Sequence, residues 1–210
     1  MDKVSPCIAS IFMKNIDAKT VQYQQKVVEK FNPTKIAHYS VLSDAPPGYT
    51  MDKLVDMLKG KGHDAIMFLD IDCVPVNDKS LQYMFDQAYA GKVIGDAQRS
   101  NHIENNQHVF AGAHNICLTI DTYKKIGSPS FYETPRSDVA EELTYKAEES
   151  KIDVELFMPL RYEAPPIRMS WETNTEPFWR LADGMPNYGI GTTYGLDDGE
   201  KQTDMFWHCW

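Results

Sequence analysis

Ala65-Ile66-Met67-Phe68-Leu69 is the longest unbroken apolar run in the chain. Five residues is strand length and too short for a buried helix. With no polar position to turn toward water, such a strand must be covered on both faces. Helices on either side of a sheet provide that cover, which points to a layered α/β fold. The preceding segments supply them. Cys7 to Met13 reads as a short apolar strand. Asp17 to Phe31 places Val21, Val27, Val28 and Phe31 near helical spacing, with Asp17 as N-cap and Pro33 as a stop. Lys35 to Leu42 reads as a second strand, and Ala45-Pro46-Pro47-Gly48 as a loop. Met51 to Lys59 is apolar at Met51, Leu54, Val55 and Leu58, a one-faced helix ended by Gly60 and Gly62. The third strand is Ala65 to Ile71. Strand, helix, strand, helix, strand spells a mostly parallel sheet with crossover helices.

The second half is less regular. Ser80 to Ala90 predicts a helix with Leu81, Met84, Phe85 and Ala88 on one side. His114 to Ile120 reads as a strand and Asp121 to Ile126 as a short helix capped by Gly127. Ser137 to Glu149 predicts a helix with Val139, Ala140, Leu143 and Ala147 on one face, and Asp153 to Met158 another strand. From Pro159 onward Pro, Gly and aromatics are frequent and no long periodic segment appears, so this tail reads as irregular chain over the sheet, in the manner of a lid. Gly189-Ile190-Gly191-Thr192-Thr193-Tyr194-Gly195 is glycine-rich but lacks the lysine of a P-loop, and reads as a mobile connection. At 210 residues the chain fits a single domain that needs neither disulfide nor structural metal for stability.

Charge narrows the partners. Lys and Arg number 21 against 30 Asp and Glu, a net charge of −9. That balance disfavours binding to nucleic-acid backbones, which relies on clustered cations. It also means that an anionic substrate would need a metal ion or a few placed cations. No apolar run approaches the ~20 residues of a membrane span. Met1 to Pro6 lacks the apolar core of a signal peptide. Cys7, Cys73, Cys117 and Cys209 form no Cys-x-x-Cys pair. Free thiols and a cytoplasmic location are the expectation.

The chemistry concentrates where the apolar strand ends, at Leu69-Asp70-Ile71-Asp72. Side chains at i and i+2 of a strand share a face, so Asp70 and Asp72 are expected to point one way and Ile71 the other. Ligands of parallel α/β sheets bind beyond the carboxyl ends of the strands. Two carboxylates converging there repel each other unless a cation lies between them. A hard divalent ion, Mg²⁺ or Mn²⁺, suits that place. Further along, Asp138-Val139-Ala140-Glu141 has the spacing of a capping box at a helix start.

Phe68-Leu69-Asp70-Ile71-Asp72 resembles the D-x-D motif of nucleotide-sugar glycosyltransferases of the GT-A fold, family-2-like members among them. The resemblance extends over roughly residues 7 to 208. His108 to Gly127 is similar to the strand and helix that line the acceptor side. Asp138-Val139-Ala140-Glu141-Glu142-Leu143 resembles the acidic helix start that bears the catalytic base, which implies that role for Asp138, Glu141 or Glu142. Phe206-Trp207-His208 resembles the late histidine that supplies a further metal ligand. The resemblance implies a GT-A-like domain with a nucleotide-binding half over 1–77 and an acceptor side with a C-terminal lid over 78–210. It implies a metal held by Asp70, Asp72 and His208, and a nucleoside-diphosphate sugar touched by Asp70 and Asp72; Asp44, at the end of the second strand, is a further donor-binding candidate, for the base or ribose. Trp171, Phe178, Trp179, Trp207 and Trp210 are aromatics that could stack on sugar faces. The expected activity is metal-dependent transfer of a sugar to an acceptor the sequence does not identify.

Two alternatives stand beside it. Asp70-Ile71-Asp72-Cys73-Val74 also satisfies the first motif of haloacid-dehalogenase-like phosphatases, with Asp70 as nucleophile and Asp197-Asp198 as a late acidic pair. The other is a non-catalytic sugar-nucleotide-binding protein that keeps the fold without turnover.

Overall fold

The structure is a computed structural model that describes residues 5–100, 108–163 and 190–208. Strand β1 (Pro6–Phe12) leads through α1 (Ala18–Lys30) to β2 (Ala37–Leu42), and α2 (Pro47–Gly60) leads to β3 (Ala65–Leu69). A short β4 (Cys73–Pro75) precedes α3 (Ser80–Tyr89), β5 (Val93–Arg99) and β6 (Val109–Thr119). Then come α4 (Ile120–Lys125), α5 (Glu141–Glu149), β7 (Val154–Glu163), β8 (Ile190–Asp197) and β9 (Gln202–His208). Among the described residues nine strands form a mixed sheet in the order β2-β1-β3-β6-β5-β7-β8-β9-β4.

The α/β class and its parallel first half are as expected: β1 pairs in parallel with both β2 and β3. Beyond β3 the pairing is antiparallel except for β5 with β7, so the parallel share is smaller than the strand-helix alternation suggested. Alternation along the strands explains the two cores. Cys7, Ala9, Ile66 and Phe68 face Met51, Leu54 and Leu58 of α2. Ile8, Met67 and Leu69 face the opposite layer, with Val28 of α1 and Leu81, Met84 and Phe85 of α3. Every residue of β3 is buried, as its composition required.

Several boundaries differ for identifiable reasons. Asp17 caps α1, its Oδ1 accepting from the Lys19 amide at 2.8 Å. Helix α2 begins at Pro47, inside the expected loop, because a first-turn position needs no amide donor. Gly48 is required there: a Cβ would lie 2.6 Å from the Phe131 carbonyl oxygen. Helix α5 begins at Glu141, four residues later than expected, because Ala140 has φ 66°, a left-handed conformation that breaks the helix. β5 was not expected at all. The tail is not irregular where it is described: β7 continues to Glu163, and β8 and β9 form an antiparallel hairpin whose second strand pairs with β4. Gly191 to Gly195 is therefore strand rather than a mobile connection. Cys7, Cys73 and Cys117 are buried free thiols. No helix among the described residues is long and apolar enough to cross a membrane. Trp171, Phe178, Trp179, Cys209 and Trp210 lie outside the described residues.

Candidate active site

Strand order β2-β1-β3 means that the chain leaves β1 to one side for β2 and returns to the other side for β3. The crevice beyond the carboxyl ends of β1 and β3 is thus a topological switch point, where open α/β sheets take ligands. A cavity of about 360 Å³ opens there. Ile11, Phe12 and Met13 at the end of β1, Ser43 and Ala45 after β2, and Asp70 to Asp72 after β3 contribute to its walls. Asp138 and His208 line it too.

Asp70 and Asp72 reach this cavity by a turn rather than by the strand pleat. β3 ends at Leu69, and the Cys73 amide donates to the Asp70 carbonyl at 3.0 Å, closing a turn that leads into β4. The Asp70 amide donates to the His114 carbonyl at 2.8 Å, which fixes the turn against β6. Ile71, expected on the opposite face, lines the same cavity because strand alternation has already stopped. Loss of hydration, and then the charge of Asp72, push the Asp70 carboxyl up to about 8.

His208 arrives from the other end of the chain. β9 pairs with β4 so that His208 stands opposite Cys73, directly after Asp72. Its Nε2 is 3.5 Å from Asp72 Oδ1; the His208 side chain is 5% exposed and that of Asp72 is 38% exposed. The His114 ring stacks on His208 with centroids 4.2 Å apart and planes 4° from parallel. His114 Nε2 lies 3.4 Å from Asp96 Oδ2, and Asn115 Nδ2 donates to Asp96 Oδ1 at 2.9 Å. Burial raises the Asp96 carboxyl well above the carboxylate range and lowers His114 to about 4. Burial, and then the neighbouring His114, lower His208 as well. Both imidazoles are consequently neutral near pH 7, the form in which histidine binds metal.

The three acidic residues around the α5 start have different surroundings. Asp138 lines the cavity and is 6% exposed; its Oδ1 accepts from the Val139 amide at 2.8 Å. It does not cap the helix, which starts three residues later. Glu141 is fully buried behind it, where Oε2 accepts from the Asp138 amide at 2.7 Å and Oε1 meets His108 Nδ1 at 2.6 Å. His108 in turn stacks on Tyr145. Glu141 therefore holds the Asp138 backbone in place and does not line the cavity. Glu142 turns outward to Arg136, at 2.5 Å and 3.0 Å. Asp44 sits between the lining residues Ser43 and Ala45, but its carboxylate is engaged by the Lys14 amide and ammonium, each at 3.2 Å. Asp197, the last residue of β8, and Asp198, in the exposed turn after it, accept from the amides of Gly199, Glu200 and Lys201. The acidic pair that a phosphatase would need is thus consumed by a turn.

Two carboxylates and an imidazole suit Mn²⁺ or Mg²⁺, and the upward shift of Asp70 marks a place where added positive charge would be favourable. Asp72 and His208 are adjacent, yet among the described residues no three His, Cys, Asp or Glu side chains are drawn into a preformed cluster. Asp96, His114 and Gln98 were missed in the sequence. The lone histidine at the head of a strand was the available signal for His114. Asp96 and Gln98 sit in Val93-Ile94-Gly95-Asp96-Ala97-Gln98-Arg99, whose polar residues disguise a buried strand.

No family model matches the chain, and no curated protein matches it by sequence. Similar solved structures include a complex of a Drosophila β-1,4-galactosyltransferase 7 mutant with manganese, UDP-Gal and xylobiose, at 11% identity and TM-score 0.48. The match covers 73% of this chain and 65% of that one, so the chain spans just under two thirds of the galactosyltransferase. A glycosyltransferase involved in glycosylation of the major capsid of PBCV-1 is similar at 13% identity and TM-score 0.46, covering 72% of this chain and 81% of that one. A cytidylyltransferase from Leptospira borgpetersenii is similar at 13% identity and TM-score 0.47, covering 76% and 78%.

Proposed function

We propose that the chain is a divalent-metal-dependent glycosyltransferase that uses a nucleoside-diphosphate sugar. The observation that carries this reading is the meeting of Asp70, Asp72, Asp138 and His208 in one cavity at the switch point of the sheet. Asp72 and His208 would hold Mn²⁺ or Mg²⁺, with Asp70 beside them toward the ribose or the hydration of the ion. Bound there, the ion supplies positive charge to the departing diphosphate, a large electrostatic demand in such a transfer. The apolar wall made by Ala9, Ile11, Phe12 and Met51 suits a nucleoside and limits the entry of water. Residues 1–77 form the donor half, and the acceptor approaches from the side of 78–210.

Asp138 is the base in an inverting transfer. It accepts the proton of the acceptor hydroxyl while that oxygen bonds the anomeric carbon and the bond from carbon to diphosphate oxygen breaks. Glu141, by fixing the Asp138 backbone, keeps the base aimed. General-base assistance is worth about 10²–10⁴-fold. A product assay tests the reading: UDP-glucose, UDP-galactose and GDP-mannose are incubated with the protein, with and without Mn²⁺, and nucleoside diphosphate release is followed. Mn²⁺-dependent release, reduced at least about 10²-fold in Asp138→Asn with donor binding retained, is expected. Donor binding without release would favour a non-catalytic binder. Release of phosphate from simple phosphomonoesters, lost in Asp70→Asn, would overturn the proposal in favour of the phosphatase.

A further inference from the structure

Gln98 is 9% exposed and lines the cavity from β5. An amide so placed ordinarily finds protein partners, because burying it without a hydrogen bond is costly. Yet no hydrogen bond among the described residues engages the Gln98 side chain, and its carboxamide abuts the open space beside His114. The backbone beneath is cleared for this arrangement. A Cβ on Gly112 would lie 2.6 Å from Gln98 Oε1 and 2.8 Å from His114 Nδ1. Both polar tips thus converge over a position where any side chain would displace them. His114 Nε2 is turned to Asp96, which leaves Nδ1 on the Gly112 side. Elsewhere the cavity is walled largely by apolar residues such as Ile11, Phe12 and Met51.

We infer that Gln98, with His114 beside it, reads hydroxyl groups of the sugar that the cavity receives. A carboxamide both donates and accepts, and an imidazole nitrogen adds an acceptor or donor a short distance away. Neighbouring hydroxyls on a pyranose ring present the same alternation of donor and acceptor. The inference assigns the pair to the sugar part of the donor and not to the nucleotide. A site built to hydrogen-bond a hydroxyl discriminates strongly against an analogue that lacks it, since its own buried groups are then left unpaired. The inference rests on the nucleotide-sugar reading and specifies which chain residue selects the glycosyl group.

Titration calorimetry in Mn²⁺ tests it with UDP, UDP-glucose, UDP-galactose, GDP and GDP-mannose as probes. Wild type, Gln98→Met and Gln98→Asn are compared, with thermal melting as a check on folding. Methionine keeps the length without the amide; asparagine keeps the amide and shortens its reach. The inference predicts that wild type gains affinity from the sugar of at least one donor. Gln98→Met should lose about tenfold for that donor, with affinity for the bare nucleoside diphosphate unchanged. Gln98→Asn should lose less or shift preference among the sugars. Equal loss for bare nucleotide and nucleotide sugar, or no loss for either, would overturn the role of Gln98 while leaving the nucleotide-sugar reading intact. Absence of binding by wild type to every probe would overturn both.

Discussion

Burial moves the titrating groups of this protein in opposite directions, and the signs predict a pH profile. Asp70 is pushed up to about 8 by lost hydration and the charge of Asp72, and Asp96 is raised by burial. Below about 8 the folded chain holds the Asp70 proton that the unfolded chain has already released. The unfolded state then binds fewer protons, so stability falls as pH rises from the ordinary carboxyl range toward 8. His38, hydrogen-bonded to Ser10 at 2.9 Å, and His114 are each lowered to about 4 by burial. Their contributions are complete above the ordinary histidine value and are lost as pH falls from 6.5 to 4. The two effects oppose each other in that window, but only the carboxyls act above it. Urea unfolding of the metal-free protein should therefore show a falling midpoint between pH 6.5 and 8, at a slope of up to about 1.4 kcal/mol per pH unit for each proton. Asp70→Asn should flatten the slope. A level wild-type profile over this range would contradict the burial assigned to the acidic turn.

The β8–β9 hairpin is the element on which the site most depends, because it carries His208 to Asp72. Gly195 allows the two strands to close: a Cβ there would lie 2.1 Å from the Thr203 carbonyl oxygen and 2.8 Å from Leu160 Cδ1. Backbone oxygen cannot give way as a side-chain tip can. Gly199, in the turn, has φ +84° but open space around it. Gly195→Ala should destabilise by about 2–3 kcal/mol through overpacking, and Gly199→Ala by about 1 kcal/mol through backbone conformation alone. Chemical denaturation of the two variants measures the ranking, and a reversed order would contradict the packing of the hairpin. This hairpin was illegible in the sequence because glycines and threonines conceal its alternation. β5 was illegible because Asp96, Gln98 and Arg99 look solvated and are buried. The first three strands were legible because apolar content, N-cap and proline agree there. Asp70 and Asp72 could be paired from spacing, although a turn rather than a pleat brings them together. The role of Glu141 could not be read, since its partner His108 lies 33 residues away.

At the scale of the molecule, a parallel unit on one side of β3 and a mainly antiparallel one on the other meet at the acidic turn. Asp70 and Asp72 close the first unit, while His114, Asp96, Gln98 and His208 come from the second. The cavity is thus assembled from both halves of the sheet, and its chemistry depends on their register. The chain carries a net charge of −9, and no Lys or Arg stands among the described residues that line the cavity, so a diphosphate held there needs a bound cation. Calorimetric titration of UDP and GDP into wild type and Asp72→Asn, with and without Mn²⁺, tests this claim most directly. Wild type should bind at least one of the two only when Mn²⁺ is present, and Asp72→Asn, folded by circular dichroism, should lose that binding by at least about 100-fold. Equal affinity in the two proteins, or wild-type binding indifferent to Mn²⁺, would contradict it.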